Sequence, residues 1–433
     1  MSGRGAPDSA TTHDVVIVGG GPVGAALGAL LARQAEPGRA ARILLLDRRL
    51  PQRPAADAPM QLRVSALSRA SERVLAAAGA WPAIAAGRRS PYERMHVWPE
   101  TATPRGPGTL SFDAAELSEP DLGCIVENVL VQCAVLEAFA AGGGSTLAVD
   151  VTALEFGAAS VRVATTAGDF TARLVVGADG AQSVVRALAG LEAEVQDYGQ
   201  TAVVATVPPE RAHERTAFQR FLGEGTLGLL PLADGDCSVV WSLPRALAVQ
   251  RLAEPADEFS RHLTAASAGV LGALQLRGER AGFPLRRVEA PRYAIERCVL
   301  VGDAAHSVHP LAGQGVNLGF LDAAALAEVL ALGRGQGEDP GALRLLRRYE
   351  RWRKGDNQLA SASIDAFNRF LSFGRDRAGR LAQRGLGWVD GSGIAKRLLI
   401  ERAMGLAGEM PEAARRRVPG ASGAAPATTE RAG

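Results

Sequence analysis

The stretch GDAAHSVHPLAGQGVNLG, residues 302–319, places Asp303, His306 and His309 close together in the chain. Such groups can bind a metal, relay protons or stand beside another ligand. Metal binding is disfavoured because the two histidines lie three positions apart and have no nearby Cys or Glu to complete a ligand set. A Ser/His/Asp hydrolase is excluded because the chain contains no G-x-S-x-G motif. We therefore predict no metal site, and the sequence identifies no catalytic side chain.

The second half of the same stretch favours a site for an anionic group. A glycine-rich loop starts at Pro310 and runs into a helix that is predicted from about Gly315. The first amides of a helix are free to bind an anion, or an oxygen atom that becomes negatively charged. Asp303 follows a predicted buried strand, at the strand end where open α/β sheets bind ligands.

A second motif lies near the start of the chain, where Gly19, Gly21 and Gly24 form G-x-G-x-x-G between an apolar run and a helical Ala/Leu stretch. The first glycine permits the tight turn, the second lets the backbone approach a pyrophosphate, and the third allows close helix packing. Asp47 ends the next predicted strand, where a carboxylate can bind a ribose. This context favours a dinucleotide over a plain glycine turn with a surface aspartate, and it leaves NAD and FAD both open.

The third motif, LVVGADGAQSVVR (174–186), again runs from an apolar strand through a Gly-Asp turn into a helix. Asp179 and Gly180 occupy the turn. Taken alone, the motif favours a structural role in which Asp179 caps the following helix.

The composition bounds the remaining possibilities. The chain has 433 residues with 47% hydrophobic and 22% charged residues, which is typical of a globular protein of two or more domains. Its net charge of +2 argues against a nucleic-acid partner. The four cysteines lack metal spacing and the polar N-terminus lacks the apolar core of a secretion signal, so we expect reduced thiols and a cytoplasmic location. By inspection of the sequence, no apolar run is long enough for a membrane helix, so we predict none.

The order of strands and helices predicts an α/β fold (an α+β composite) with a Rossmann-like dinucleotide-binding domain, a β-sheet substrate domain and C-terminal helices. The expected boundaries are 13–92, 116–194 and 290–340 for the binding domain and 93–115 with 195–289 for the substrate domain. A helical region is expected at 341–410, and residues 1–12 and 411–433 are expected to be disordered.

The three motifs in this order resemble the flavin-dependent aromatic hydroxylases with the para-hydroxybenzoate hydroxylase fold. Further segments are similar to the ubiquinone-biosynthesis hydroxylases, and within them to the VisC-like, 2-polyprenylphenol 6-hydroxylase type. These segments are QLRVSAL (61–67), PYERMHVW (91–98), LGCIVEN (122–128), GEGTLGLLPLADGDCSVVWSLP (223–244), PLAGQGVNLGF (310–320) and LRRYERWRK (346–354). The resemblance covers roughly residues 13–408.

The resemblance implies FAD as the bound cofactor, with NADPH (or NADH) as a transient hydride donor and O2 as co-substrate. It assigns the pyrophosphate turn to the three early glycines, the ribose to Asp47, the FAD phosphates to Arg63 and a polar FAD contact to Asn128. It further assigns the segment of Asp179 and Gly180 to FAD and NADPH, and Asp303 to the ribityl chain. The loop that cradles the flavin ring then comprises Pro310, Gly313, Gly315 and Val316.

The function implied is hydroxylation of the aromatic ring of a polyprenylphenol in ubiquinone biosynthesis. Three alternatives share the cofactor motifs: hydroxylation at another ring position, a soluble hydroxylase of small aromatic compounds, and a non-catalytic FAD-containing subunit of a quinone-biosynthesis assembly. A plain NAD dehydrogenase leaves the late motif without a role, and a flavin halogenase lacks its W-x-W-x-I-P signature here.

A polyprenyl substrate needs an apolar groove, for which the predicted strands offer five aromatic residues that could equally pack a sheet: Tyr198, Phe218, Phe221, Trp241 and Phe283. Near the C-terminus, an apolar stripe is flanked by basic residues. It comprises Ile400, Ala403, Met404 and Ala407 beside Lys396, Arg397 and Arg402. The stripe suggests either a peripheral membrane contact, a protein-assembly face or, most simply, a helix packed on the body of the protein.

Overall fold

The computed structural model describes residues 12–34, 41–307, 314–371, 392 and 408–416, without the side chains of 314 and 364–371. Its first three elements form the βαβ unit expected from the glycine motif. Strand β1 (Thr12–Val18) leads into helix α1 (Pro22–Arg33), which starts with a proline at its first position, and then into strand β2 (Ile43–Asp47). Proline suits that position because the first helical amides have no partner within the helix.

The remaining elements follow in chain order. The strands are β3 Val64–Ser68, β4 Ser90–Tyr92, β5 Arg94–Pro99, β6 Leu110–Asp113, β7 Gly123–Glu127, β8 Ser145–Ala148, β9 Val151–Phe156, β10 Val161–Thr165, β11 Gly168–Gly177, β12 Glu194–Val207, β13 Thr216–Leu222, β14 Gly225–Pro231, β15 Cys237–Pro244, β16 Arg277–Glu289, β17 Ala294–Ile295, β18 Cys298–Leu300 and β19 His306–Ser307. The helices are α2 Arg69–Ala77, α3 Trp81–Ala85, α4 Asn128–Ala141, α5 Val184–Leu188, α6 Arg245–Ala253, α7 Ala256–Ala266, α8 Gln314–Gly335 and α9 Leu343–Leu371. Short 3-10 helices cover Ala114–Leu117, Gly302–Ala304 and Glu412–Ala414.

The first large sheet aligns the three sequence motifs. Its central strands run parallel in the order β18-β11-β1-β2-β8, with β17 at one end; β10 pairs antiparallel with β11, and β9 pairs antiparallel with β10. These strands are apolar because helices bury them, and Val16, Ile17, Leu45 and Val176 are fully buried. Since parallel strands end at the same edge, the turns after β1, β11 and β18 meet there.

The second large sheet has the order β19-β16-β12-β15-β14-β13-β5-β6 and is antiparallel except for the pairing of β5 with β13. Helices α6 and α7 cover one face, where Trp98, Phe218, Trp241 and Phe259 form an apolar core. The opposite face packs against the small sheet β3-β7-β4, through contacts such as Ala217 and Leu230 with Ala66 and Ile125. The fold class predicted from the sequence is thus confirmed.

Helix α8 corrects one expectation. Its segment Gly315–Gly335 is long and apolar enough to cross a membrane by length and composition, although the sequence was expected to hold no such run. Within the fold, 67% of its most apolar window is buried, as in the core helix of a globular protein. The helix packs against α1, α2 and α9. This burial accounts for its composition.

The C-terminal end supplies a second correction. Residues 411–416 were expected to be disordered, but they include the 3-10 helix Glu412–Ala414, which contacts α2 and α8 and buries Ala414 completely. A disordered tail therefore cannot begin at 411. The apolar stripe at 400–407 and its flanking basic residues lie outside the described residues.

Candidate functional site

The three early glycines meet different surroundings, which separates their roles. A Cβ atom on Gly19 would lie 2.3 Å from the Ala178 carbonyl oxygen, and one on Gly24 would lie 2.1 Å from the Gly19 oxygen. Both glycines are therefore required for close backbone packing, and Gly19 also has a φ of +112°. A Cβ on Gly21 would meet no atom within 4 Å. The open side of Gly21, at the start of α1, is where a phosphate can approach the backbone.

Asp47 is fixed beside this turn. One carboxylate oxygen accepts a hydrogen bond from the Gly20 amide at 2.5 Å, and the other accepts from the Arg49 amide at 2.8 Å. Gln132 of α4 donates to the Gly20 carbonyl oxygen at 2.8 Å. The carboxylate predicted to bind a ribose is thus held against the glycine turn, and the Gln132 contact was not predicted from the sequence.

Asp179 has the structural role that its motif suggested when taken alone. Its carboxylate accepts from the Val184 amide at 2.7 Å, from the Val185 amide at 3.1 Å and from the Ser183 hydroxyl. The Ser183 side chain in turn accepts from the Arg186 amide, so both residues cap α5. Gly180 has a φ of +82°, which fits a glycine turn. Cofactor binding by Asp179 and Gly180 stays a prediction.

Arg186 joins two of the motifs. Its guanidinium donates to the Ala181 carbonyl oxygen and to the Ala304 carbonyl oxygen, each at 2.8 Å. The turns after β11 and β18 are therefore tied together by one side chain. Burial is the main cause that lowers the pKa of Arg186, and Asp179 opposes it.

Asp303 contrasts with Asp179. Within the described ranges, no group donates a hydrogen bond to its carboxylate. Part of the residue surface is nevertheless open to solvent. Desolvation of the ionised form by the surrounding protein raises the pKa of Asp303, while electrostatic interactions with His306 and Arg63 act to lower it. A Cβ on Gly315 would lie 3.9 Å from an Asp303 oxygen, so the start of α8 adjoins this carboxylate. Asp303 and Gly315, predicted to share one site, are neighbours in space.

The flavin-ring loop can be placed only in part. Gly315 and Val316 belong to the first turn of α8, as predicted. Pro310 and Gly313, together with His309, lie outside the described residues, so their assignment stays a prediction.

Arg63 and Asn128 lie side by side. The Asn128 amide donates to the Arg63 carbonyl oxygen at 3.0 Å, and the Asn128 side chain accepts from the Ser65 hydroxyl at 2.7 Å. The Arg63 guanidinium lies over the Phe283 ring of β16, 5.6 Å from the ring centroid. It remains exposed and available to an anionic group.

One buried polar cluster was missed by the sequence reasoning. Asp322 of α8 is fully buried and lies 2.5 Å from His306 and 2.9 Å from Arg353, and Asn357 also binds it. A carboxylate in the otherwise apolar sequence LGFLDAAALA (318–327) was the available signal. Asn317, in contrast, bonds to Ala66, Ser68 and Ser71 and attaches α8 to β3 and α2.

A separate group could hold a metal by geometry alone. Glu254, Glu258 and His262 present ligand atoms within 4.8 Å of one another. Glu254, however, is paired with Arg251 and with His262, so its charge is already balanced. This group lies beyond α6, on the helix-covered side of the second sheet.

The face of the second sheet that points away from α6 and α7 carries no charged residue in the two described rows that cross Ala202 and Val204. The register places in these rows Phe283, Ala202, Ser242, Thr226 and Phe221, and Ala281, Val204, Val240, Gly228, Gln219 and Val97, whereas the next row, through Thr206, ends at the charged Arg277. Phe283 is 37% exposed, whereas Phe218, Phe221 and Trp241 are buried and pack the sheet. We call these two rows the uncharged face.

These residues fit FAD. A phosphate can approach the open side of Gly21, a ribose can bind at Asp47, and the hydrogen-bonding capacity of Asp303 suits a polyol. The first amides of α8 lie next to Asp303, where the ring of a flavin would meet a helix N-terminus.

Comparison with known proteins agrees with this fit. A family model described as an FAD binding domain matches residues 12–358. The chain is 37% identical over 395 residues to the ubiquinone hydroxylase UbiL of Rhodospirillum rubrum, covering 90% of this chain and 89% of the relative. It is 35% identical over 411 residues to the 3-demethoxyubiquinol 3-hydroxylase of Escherichia coli, covering 91% and 98%. The crystal structure of p-nitrophenol 4-monooxygenase PnpA from Pseudomonas putida DLL-E4 has a TM-score of 0.71 at 18% identity, covering 91% and 98%, which shows the shared fold alone.

The family match covers both the dinucleotide-binding strands and the second sheet, and the relatives match the chain over nearly its whole length. The predictions of an FAD cofactor, of a nicotinamide hydride donor and of a flavin-dependent monooxygenase are confirmed. This chain belongs to the FAD-dependent hydroxylases of ubiquinone biosynthesis.

Proposed function

We propose that the protein hydroxylates the aromatic ring of a polyprenylphenol, using NADPH (or NADH) and O2, and that its reaction is the 6-hydroxylation of a 2-polyprenylphenol. The names of the two relatives, a ubiquinone hydroxylase and a demethoxyubiquinol hydroxylase, support a quinone precursor as substrate class. Sequence resemblance to the VisC-like type supports the ring position.

The uncharged face is the observation that best supports an uncharged, prenylated phenol as the substrate. A carboxylated aromatic substrate needs a cation to bind its charge in a site that excludes water. The register puts only apolar, small and neutral polar side chains in the two described rows of this face. Arg63 is the cation stacked on its edge, and we assign that residue to the cofactor phosphates. A prenylated phenol, which carries no carboxylate, matches this surface.

The protein's own groups position the reactants. When bound, FAD would supply the redox chemistry: hydride acceptance from the nicotinamide and insertion of one oxygen atom of O2 into the ring, with the other released as water. The amides of Gly315 and Val316 would stabilise negative charge on a flavin ring bound at this helix end, a contribution of ~0.3–1 kcal/mol when exposed and up to ~2 when partly buried. Packing of the uncharged face against β3 and β7 limits access of water to the site.

Complementation tests the proposal in cells. A strain that lacks its polyprenylphenol 6-hydroxylase should regain ubiquinone when it expresses this chain, and mass spectrometry should show the accumulated 2-polyprenylphenol disappear. Restoration in a strain blocked at another ring position instead would support the alternative position. Failure in every such strain, with the protein expressed and yellow, would argue against the substrate class.

Purified protein separates the remaining alternatives. A short-chain 2-prenylphenol should stimulate NADPH oxidation and yield hydroxylated product, whereas 4-hydroxybenzoate should do neither. The reverse preference would favour a soluble aromatic-acid hydroxylase. A yellow protein that oxidises NADPH with neither compound would favour a non-catalytic subunit of a quinone-biosynthesis assembly.

The apolar substrate also bears on location. We infer that a long prenyl chain is delivered from a membrane, so the protein works as a cytoplasmic enzyme with a peripheral membrane contact. Co-sedimentation with anionic vesicles that contain a prenylphenol tests this. If the vesicles sediment and the protein stays in the supernatant, the inference is wrong.

A further inference from the structure

The carboxylate of Asp322 divides its two oxygens between two parts of the molecule. Oδ2 accepts from the Gly302 amide at 3.1 Å and lies 2.5 Å from His306 Nε2. Oδ1 accepts from Arg353 Nε at 2.9 Å and from Asn357 Nδ2 at 3.1 Å. One oxygen therefore binds the turn after β18, and the other binds α9.

The two donors on Oδ2 flank Asp303 in the chain. Gly302 precedes it and has a φ of +57°, a left-handed conformation that glycine adopts without steric cost. His306 follows three residues later, is 6% exposed and stacks on Tyr293 with ring centroids 5.8 Å apart. A single buried oxygen thus fixes both ends of the segment that presents the Asp303 carboxylate.

The buried charge of Asp322 is stabilised by its donors. Burial acts to raise the pKa of its carboxyl, but the interactions with His306 and Arg353 outweigh burial and leave the pKa below its ordinary value. Arg353 is 2% exposed and also donates to Asn357 at 2.8 Å. His306 and, from α9, Arg353 together keep this acceptor ionised.

We propose that Asp322 is a positioning residue for FAD, which acts by holding the Gly302–His306 turn so that Asp303 meets the ribityl chain. This inference depends on the proposed role of Asp303. It assigns a cofactor-related role to α9, which lies behind α8 and provides Arg353 and Asn357.

Two roles for Asp322 predict different outcomes: a member of a purely structural ion pair, or a residue that positions the turn. Replacement of a buried ion pair by apolar side chains of similar volume is often neutral for stability. If Asp322 and Arg353 only fill the core, an apolar double variant should bind FAD as the wild type does. If Asp322 positions the turn, that variant should fold and lose FAD affinity, because the Gly302 amide and His306 lose their acceptor.

Two double variants of equal charge make the test. Asp322→Leu with Arg353→Met removes the acceptor, whereas Asp322→Asn with Arg353→Met keeps one carbonyl oxygen that can face the turn. The full-length proteins are freed of flavin, and FAD binding is titrated by quenching of flavin fluorescence, with the absorption spectrum of bound flavin recorded as a second signal. We expect FAD binding to weaken about tenfold or more in the Leu variant and about threefold or less in the Asn variant.

A matched control lies at the opposite end of β18. Arg297 is 4% exposed and pairs with Asp339 at 2.6 Å, at the strand end remote from Asp303. Arg297→Met with Asp339→Leu should change thermal stability and leave FAD affinity unchanged. Equal loss of FAD affinity in this control would show that the effect of Asp322 is a general loss of packing and would overturn the inference.

Two further variants complete the design. His306→Phe keeps a ring against Tyr293 and removes one of the two donors, so it should weaken FAD binding even if the Leu variant fails to fold. Unchanged affinity in His306→Phe, or in a folded Leu variant, overturns the inference. Asp303→Ala separates the two proposals: if it retains FAD, the assignment of Asp303 fails, and if it loses FAD while the Leu variant does not, only the role of Asp322 fails.

Discussion

Asp179 and Asp303 stand at the ends of two paired parallel strands, β11 and β18, after similar apolar runs and within similar Gly-Asp turns. Their carboxylates nevertheless have opposite surroundings. The Asp179 carboxylate accepts hydrogen bonds from Val184, Val185 and Ser183, whereas no group in the described part of the chain donates to Asp303. Similar local sequences have therefore produced a helix cap in one turn and an available acceptor in the other.

The difference arises from the segment that each turn leads into. After Asp179 the chain enters α5, whose first amides point back at the carboxylate. After Asp303 the chain makes one 3-10 turn and a two-residue strand, and His306 is drawn to Asp322. The Gly302 amide donates to Asp322 and the Ala305 amide donates to the Gly302 carbonyl oxygen, so neither binds the Asp303 carboxylate, which stays available for a polyol.

The largest expected change in FAD affinity comes from removing the Asp303 carboxylate. Asp303→Ala should reduce FAD affinity about a hundredfold or more, because it removes charge-assisted hydrogen bonds to ribityl hydroxyls. The measurement is flavin absorbance after purification, followed by titration of the flavin-free protein. Full retention of FAD would show that the two aspartates do not differ in function.

The second-largest expected effect tests whether the pyrophosphate of FAD approaches the backbone at Gly21. Gly21→Val should lower FAD affinity by about tenfold or more, since the side chain fills the open space where the pyrophosphate approaches the helix start. The thermal midpoint of the flavin-free protein should be nearly unchanged, because a Cβ at this position meets no protein atom within 4 Å.

Gly24→Ala is the matched variant, because Gly24 is expected to serve the fold whereas Gly21 is expected to serve FAD binding. Its Cβ would lie 2.1 Å from the Gly19 oxygen, so it should destabilise the fold with or without FAD. Similar thermal midpoints for the two flavin-free variants would contradict the separation of their roles.

The contrast between Asp179 and Asp303 also shows how much of the site could be predicted from the sequence. Patterns of an apolar strand followed by a glycine-containing turn located all three motifs, and the parallel strands brought their ends to one edge, as expected from the βαβ unit around Gly19. The family resemblance supplied the assignment of each motif to a particular part of FAD. The pattern could not tell whether Asp179 caps a helix or binds a ligand, because that depends on where the amides of α5 point.

Long-range polar contacts were also beyond the sequence. Asp322 and Arg353 are 31 positions apart on different helices, and neither position alone reveals its partner. The apolar sequence around Asp322 marks a buried carboxylate that needs a donor. Which donor it finds depends on how α8 and α9 pack, and sequence periodicity does not determine that packing.

A smaller effect is expected at the capped aspartate. Asp179→Ala should destabilise the protein by about 1 kcal/mol, the usual cost of losing a helix cap, because the amides of Val184 and Val185 lose their acceptor. FAD affinity should fall by no more than about threefold, since the carboxylate is already engaged by the protein. Chemical denaturation and the same fluorescence titration measure the two effects, and a loss of FAD as large as that of Asp303→Ala would show that the cap is also a direct ligand.

The smallest effect concerns the stability of the flavin-free protein. Because surrounding protein desolvates the ionised Asp303 and raises its pKa, the folded state binds this proton more tightly than the unfolded state does. The associated stabilisation is complete at low pH, and it is lost as pH rises from the ordinary aspartate pKa of about 4 through the raised value. Asp303→Asn should therefore raise the thermal midpoint of the flavin-free protein at pH 7 relative to the wild type, with the difference vanishing near pH 3, while FAD binding weakens. An unchanged midpoint at pH 7 would mean that the free carboxylate carries no folding cost, whereas a higher midpoint with weaker FAD binding would show that the protein keeps an unfavourable charge for its cofactor.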